Sequence, residues 1–122
     1  MIKKVLLSLL FGLFLSISEG NATSLDKNHC SQYGSAVENI ALIYYAGASY
    51  NEILDLLNNP DFYQNPQDIQ ILIKTTVLYM GYIFKLLPPE EHAQGAIDFC
   101  MRLNGDVEKM NYTIQKALGT EI

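Results

Sequence analysis

Apolar residues recur along the chain at helical spacing from about Lys27 onward. Between Lys27 and Ala46 they follow one another at steps of three and four residues, which places them on one face of a helix. That face comprises Cys30, Tyr33, Val37, Ile40, Ala41 and Tyr44. Gly47 comes next, where a left-handed residue commonly ends a helix. The pattern therefore predicts a first helix, Lys27 to Ala46, with one buried face.

The segment after Gly47 has the pattern of a short second helix. Ser49 and Glu52 are three residues apart, as in a capping box, in which the two side chains satisfy free backbone N–H groups at a helix start. An inner face follows at Ile53, Leu54 and Leu57. The run 58–60, Asn-Asn-Pro, is expected to end this helix.

A third helix is predicted to begin at Asn65-Pro66 and to extend as far as Leu87. One face carries Ile69, Leu72, Ile73, Thr76, Met80 and Ile83, and another carries Ile71, Leu78 and Tyr82. A helix that is apolar on nearly all sides is either a buried core helix or a membrane span. The stretch between Lys74 and Lys85 is well short of the roughly 20 residues that span a bilayer, so we expect a core helix.

Two further helices complete the pattern. Pro88 and Pro89 end the third helix and start a fourth, with Glu90 and Glu91 in its first turn. Its inner face is expected to comprise Ala93, Ala96, Ile97, Cys100 and Met101. After Asn104-Gly105, a fifth helix capped by Asp106 is predicted. Five of its residues should point inward: Val107, Met110, Ile114, Ala117 and Leu118. The tail after this helix should fray. The fold class expected is all-α, a compact array of about five helices around a central buried helix.

The first 22 residues have the three parts of a secretory signal. Lys3 and Lys4 are followed by an apolar run from Val5 to Ile17, and Gly20 and Ala22 are the small residues that a signal peptidase selects. We expect cleavage after Ala22, leaving a single domain of 100 residues, Thr23 to Ile122. An uncleaved membrane anchor is disfavoured because the apolar run is shorter than the ~20 residues of a span. The protein is predicted to be exported, to a periplasm or the medium.

Charge argues against nucleic-acid binding. Removing Lys3, Lys4 and Glu19 from the 8 basic and 13 acidic residues leaves 6 and 12, a formal net charge of −6. The segment from Gly47 to Ile53 resembles the helix-turn-helix of bacterial sigma factors. A helix that contacts bases needs basic or amide side chains, and phosphate contacts need a basic surface. The segment 50–58 has no Lys or Arg, so we interpret the run as a structural turn.

Cys30 and Cys100 are the only cysteines. In an exported chain an isolated pair predicts a disulfide, with two buried thiols as the alternative. A disulfide would connect the first and fourth helices. Zinc binding is disfavoured because His29 and Cys30 are adjacent and His92 lies eight residues from Cys100. We therefore predict no metal and no cofactor.

Catalytic patterns are weak. A Cys–His nucleophile would need a free thiolate, and no serine lies in a G-x-S-x-G turn. Glu90 and Glu91 are better explained as first-turn charges than as an acid–base pair. The sequence also has no phosphate-binding glycine loop, so we expect a protein that is not an enzyme.

All eight tyrosines lie in the predicted mature chain. Four of them share helical faces with Ile and Leu and are expected in the core: Tyr33, Tyr44, Tyr79 and Tyr82. Tyr45, Tyr50 and Tyr63 do not share those faces. With Phe62 they are predicted to cluster around the second helix and the loop 58–65, as an aromatic surface that binds a partner. The alternative is an ordinary connecting loop with Phe62 turned inward.

Three stretches resemble small secreted two-cysteine helical proteins of proteobacteria: "IALIYYAGASYNEIL", "VLYMGY" and "LPPEEHAQGAIDFC". The resemblance implies an exported helical fold but transfers no functional residue. The leading hypothesis is an exported binding module, that is, an inhibitor, immunity-type protein or adaptor, whose partner is another protein. A holdase-type stress chaperone is the alternative, and a small enzyme is third.

Overall fold

The computed structural model describes residues 27–121, so the predicted signal peptide lies outside the described residues. The helices are α1 (Lys27–Tyr45), α2 (Tyr50–Leu56), α3 (Gln67–Ile83), α4 (Pro89–Arg102) and α5 (Val107–Glu121). Two 3-10 turns, Phe62–Gln64 and Phe84–Leu86, flank α3. The described part of the chain contains no strand, and the all-α prediction is confirmed.

The predicted helix boundaries around α1 and α2 are confirmed in atomic detail. Gly47 has a φ of +103° and follows the end of α1. Its N–H donates to the carbonyl of Tyr44, and the next N–H donates to that of Ile43, which is the pairing of a Schellman motif. Ser49 and Glu52 form the capping box that starts α2. Four residues thus separate the end of α1 from the start of α2.

The ends of α3 differ from the prediction. Pro66, not Asn65, occupies the cap position, because the Asn65 side chain donates instead to the Phe62 carbonyl and closes the preceding 3-10 turn. At the other end α3 stops at Ile83, four residues early. The 3-10 turn that follows directs Phe84 into the core, where its ring stacks on Tyr44 with centroids 3.9 Å apart.

The helices are arranged as two tightly packed pairs. α1 lies against α4, and the predicted disulfide Cys30–Cys100 joins them with Cα atoms 5.6 Å apart. α3 lies against α5. Two tyrosines of α1 connect the pairs: Tyr33 hydrogen-bonds to the Thr76 hydroxyl at 2.9 Å, and Tyr44 donates to the Val77 carbonyl at 2.8 Å.

α3 is central in the sense that it contacts α1, α2 and α5, but it is buried on one side only. Its inner face packs in the core as predicted, except that Ile83 is half-buried. On its outer face Tyr82 is 54% exposed, so the prediction of a core position for Tyr82 is wrong. Met101 of α4 is also exposed, although it was predicted to point inward. The helix α5 continues to Glu121, where fraying was expected.

The stretch Gln67–Leu86 has the length and apolarity of a membrane span, with 20 residues and a mean hydropathy of 1.3. Its core-facing side chains pack against the other helices, as those of a core helix do. We therefore keep the interpretation of α3 as a core helix. The absence of a membrane span from the mature chain remains a prediction.

Candidate functional site: an apolar cleft beside α4

A cleft of about 370 Å³ lies between α4 and the α3–α5 pair, with α1 beneath it. We call it the α4 cleft. Its floor is buried and consists of Tyr33, Val37, Thr76, Met80, His92 and Ile114. Its walls are half-buried and consist of Tyr79, Ile83, Ala96, Phe99 and Ala117. Its rim is exposed and consists of Leu87, Glu91, Gly95, Arg102 and Thr113.

The cleft exists because consecutive helices do not pack together. Helices joined by a short turn commonly lie side by side. Here the turn 103–106 joins α4 to α5, yet α4 packs on α1 and α5 packs on α3. Asn104 and Gly105, both with positive φ, form the turn that separates the two helices. The space between them is left open, above a floor of core side chains.

The polar groups in the floor are satisfied within the protein. Tyr33 and Thr76 bond to each other, and the His92 ring, through Nε2, lies 2.8 Å from the Phe84 carbonyl oxygen. Burial raises the pKa of Tyr33 to about 12, against a smaller lowering by the bond to Thr76. A buried polar group without a partner would need one from a ligand. Because these groups have partners, the floor favours an apolar occupant.

The rim carries opposite charges at its two ends. Glu91 lies in the first turn of α4 and Arg102 in the last, about 16 Å apart at a rise of 1.5 Å per residue. Neither side chain forms a salt bridge or hydrogen bond within the described residues. Between them, Gly95 leaves the cleft open, since a Cβ added there would meet no atom within 4 Å.

The threonine hydroxyl groups that line the cleft are hydrogen-bonded within the protein. The Thr113 hydroxyl donates to the Lys109 carbonyl of its own helix, and the Thr76 hydroxyl is paired with Tyr33. Among the described residues no group of three or more His, Cys, Asp or Glu side chains lies together. An apolar wall with a few charges at the rim is typical of sites that hold an apolar body in a fixed orientation.

The aromatic surface predicted at the loop 58–65 needs correction at Phe62. Phe62 is 0% exposed and belongs to the core, so the expectation of an exposed aromatic pair is wrong. The 3-10 turn of residues 62–64 explains this, because it points Phe62 inward and leaves Tyr63 outside, 51% exposed. The Lys74 ammonium lies 5.6 Å from the centre of the Tyr63 ring, a cation–π distance.

Tyr45 and Tyr50 lie in a different part of the molecule from Tyr63. Tyr45 donates to the Leu87 carbonyl, and its ring meets Phe84 edge to face. Tyr50 is half-buried and lines a shallow groove with Tyr82 and Phe84. The structure thus places Tyr45 and Tyr50 beside the turn after α3, and Tyr63 beside Lys74. The partner-binding role of these tyrosines stays a prediction.

The residues of the α4 cleft were not predicted as a site from the sequence. One signal was available: Phe99 is an aromatic residue off the face of α4 that carries Ala93, Ile97 and Cys100. A helix with a second apolar stripe has a second surface to cover. What the sequence could not show is that no helix of the described chain covers that stripe.

Comparisons with known protein families, curated proteins and solved structures found no match to this chain. The resemblance to small secreted two-cysteine proteins therefore stays a prediction.

Proposed function

We propose that this protein is an exported, non-enzymatic binding protein that acts by occupying a partner protein through the α4 cleft. The single observation that carries the proposal is the open apolar cleft. Its volume, about 370 Å³, falls within the range of ~300–1,000 Å³ typical of ligand sites. A partner that filled it would cover half-buried apolar walls, which is the main favourable term in most protein associations.

The floor and the rim support different parts of this proposal. The floor is pre-formed, because its side chains pack in the core and its polar groups are hydrogen-bonded. A pre-formed site loses less conformational entropy when it binds. The rim offers Glu91 and Arg102 as charges for specificity, which suits an inhibitor, immunity-type protein or adaptor that must select one partner.

The test is affinity capture with the oxidised protein from the exported fraction of the organism that produces it. The bait is compared with Gly95→Phe, which fills the cleft from its rim, and with Gly119→Phe as a matched control. Gly119 is also an exposed helical glycine with open space at its Cβ, but it does not line the cleft. We expect one stoichiometric partner, retained by wild type and Gly119→Phe and lost with Gly95→Phe.

Two results would count against the proposal. The first is a partner that Gly95→Phe binds as well as wild type, which would place the site elsewhere, for instance at Tyr45, Tyr50 or Tyr63. The second is the absence of any stoichiometric partner. As a control, both variants must have an intact disulfide and an unchanged melting temperature. A loss of binding then cannot be due to a loss of folding.

A holdase-type chaperone is the second candidate, and one observation favours it. Leu86 is 77% exposed, and the exposed residues Leu87 and Tyr45 adjoin it. Contiguous exposed apolar surface marks interaction sites. A holdase would suppress the aggregation of several unrelated unfolded proteins, without selecting one of them. The binding protein proposed above would suppress none of them and would bind its one partner.

A further inference from the structure

We infer that the occupant of the α4 cleft is an amphipathic helix of about three turns in the partner protein, with a basic residue at its Glu91 end and an acidic residue at its Arg102 end. This inference rests on the proposed function and adds the shape and charge pattern of the partner. Three features of the cleft carry it: the topology around it, the size of the residues along its rims, and the charges at its ends.

The topology leaves room for one more helix. α4 and α5 are consecutive, but each packs on a different neighbour. Packed helices lie about 8–10 Å apart, and a wider gap between two helices can take a third. A helix placed there would lie on α4 at one side and on α5 at the other, above the floor residues Tyr33 and Met80. The partner would thus complete a helical bundle.

The rims favour a helix over an extended peptide. Gly95 and Thr113 at the rim and Ala96 and Ala117 in the walls are small, which lets another helix approach closely. One common way for an extended peptide to bind is to add a strand to the edge of a sheet. The described residues contain no strand, so that mode has no template here.

The charges at the ends give the partner helix a charge pattern. Glu91 and Arg102 are separated by about 16 Å, the length of three helical turns. Both also offset the dipole of α4, as an acid in the first turn and a base in the last do. Because neither has an ion-pair partner within residues 27–121, each can pair with an opposite charge on the occupant. The apolar walls between them would contact leucine-type side chains on successive turns.

The experiment uses three stapled helical peptides of equal length as probes, and stapling is needed because short isolated helices are marginal in water. All three carry the same leucine stripe. They differ only in the residues at the two ends of that stripe, which are one basic and one acidic, two basic, or two acidic. Binding to the full oxidised protein is measured by calorimetry. We expect the mixed peptide to bind at least about threefold more tightly than either uniform peptide.

Charge reversal sharpens the test. With Arg102→Glu both ends of the cleft become acidic, so the doubly basic peptide should become the tightest of the three. Gly95→Phe should weaken all three peptides by at least about tenfold, and Gly119→Phe should weaken none. The melting temperature of each variant, compared with wild type, separates an effect on binding from an effect on folding.

Several outcomes would overturn the inference, and they differ from those that would overturn the proposed function. Equal affinities for the three peptides in wild type and Arg102→Glu would overturn the charge pattern. If the protein bound dodecanoate, lost that binding with Gly95→Phe and bound none of the peptides, the occupant would be a small amphiphile and not a helix. A captured partner that needs the cleft but presents no helix would overturn this inference and leave the proposed function standing.

Discussion

A glycine lies on each of the two sides of α4, in opposite surroundings. On the side that faces α1, a Cβ at Gly34 would lie 2.4 Å from Ile97 Cγ1 and 3.0 Å from the Ala93 carbonyl oxygen. On the side that faces the cleft, a Cβ at Gly95 would meet nothing within 4 Å. The first glycine allows α1 and α4 to approach closely, whereas the second borders the open cleft between α4 and the α3–α5 pair.

This difference indicates how the cleft is kept open. A small helical domain tends to close an apolar gap, because closure buries apolar surface. The disulfide and the close contact at Gly34 hold α4 on α1. The α3–α5 pair packs on α1 through the shared hydrophobic core and through the hydrogen bonds of Tyr33 and Tyr44. The packing of α4 on α1 thus fixes the position of the α4 residues that line the cleft.

Loss of the disulfide should have the largest effect on this arrangement. The bond closes a loop with a sequence separation of 70 residues. In the chain-entropy model such a cross-link stabilises the fold by about 4 kcal/mol. We expect the double variant Cys30→Ser/Cys100→Ser to lower the free energy of unfolding by up to that amount in urea denaturation. Thiol labelling of the denatured, unreduced wild type should find no free cysteine, and two labelled thiols would contradict the disulfide.

Ionisation of Tyr33 should have the next largest effect, because its hydroxyl bonds α1 to α3 beneath the cleft. Burial raises its pKa from 10.0 to about 12 in the folded protein. The unfolded protein therefore loses this proton first, so the stability contributed by neutral Tyr33 is complete below pH 10 and is lost as the pH rises towards 12. The shift corresponds to about 3 kcal/mol as an upper estimate.

The measurement is the free energy of unfolding between pH 9 and pH 12, with tyrosinate absorbance recorded in parallel. Tyr33→Phe should remove part of the alkaline loss. Tyr44, whose pKa burial also raises to about 12, should account for a further part. A Tyr33→Phe profile that parallels the wild type would contradict the role given to Tyr33.

Gly34→Ala tests the closed side of α4 directly. The added methyl group must displace Ile97 and approach a backbone carbonyl, so we expect a loss of roughly 1–3 kcal/mol, typical of overpacking. Combining it with Ile97→Ala should recover part of that loss, because the Ile97 side chain makes the closest contact. If Gly34→Ala were as stable as wild type, α1 and α4 would not be in close contact at this point.

Local signals in the sequence predicted the helices well. Four signals act on their own neighbours in sequence: Gly47, the Ser49–Glu52 pair, Pro88 and Pro89 at the start of α4, and Asp106. Their effect does not depend on the rest of the fold. The disulfide was predictable for a similar reason, since a chain with two cysteines has one possible intramolecular pairing.

The cleft and the orientation of Phe62 depend on tertiary packing and were not predicted. Phe62 and Tyr63 are adjacent and chemically alike, and only the 3-10 turn decides which one is buried. Tyr82 shares a helix with buried residues, but among the described residues no other helix covers its side of α3. The α4 cleft arises because α4 packs on α1 whereas α5 packs on α3. An apolar stripe in the sequence of a helix does not indicate which other helix will pack against it.

Gly95→Ala should give the smallest effect and the opposite sign from Gly34→Ala. A glycine inside a helix costs about 1 kcal/mol relative to alanine, because it loses more backbone entropy on folding. At Gly95 nothing offsets that cost with a clash, since the new methyl group enters open space. We expect the free energy of unfolding to rise by roughly 0.5–1 kcal/mol, measured by urea denaturation beside Gly34→Ala. A loss of stability at Gly95 would show that the cleft is closed by its own side chains in solution. A gain is the result expected for a methyl group that enters open space beside the cleft.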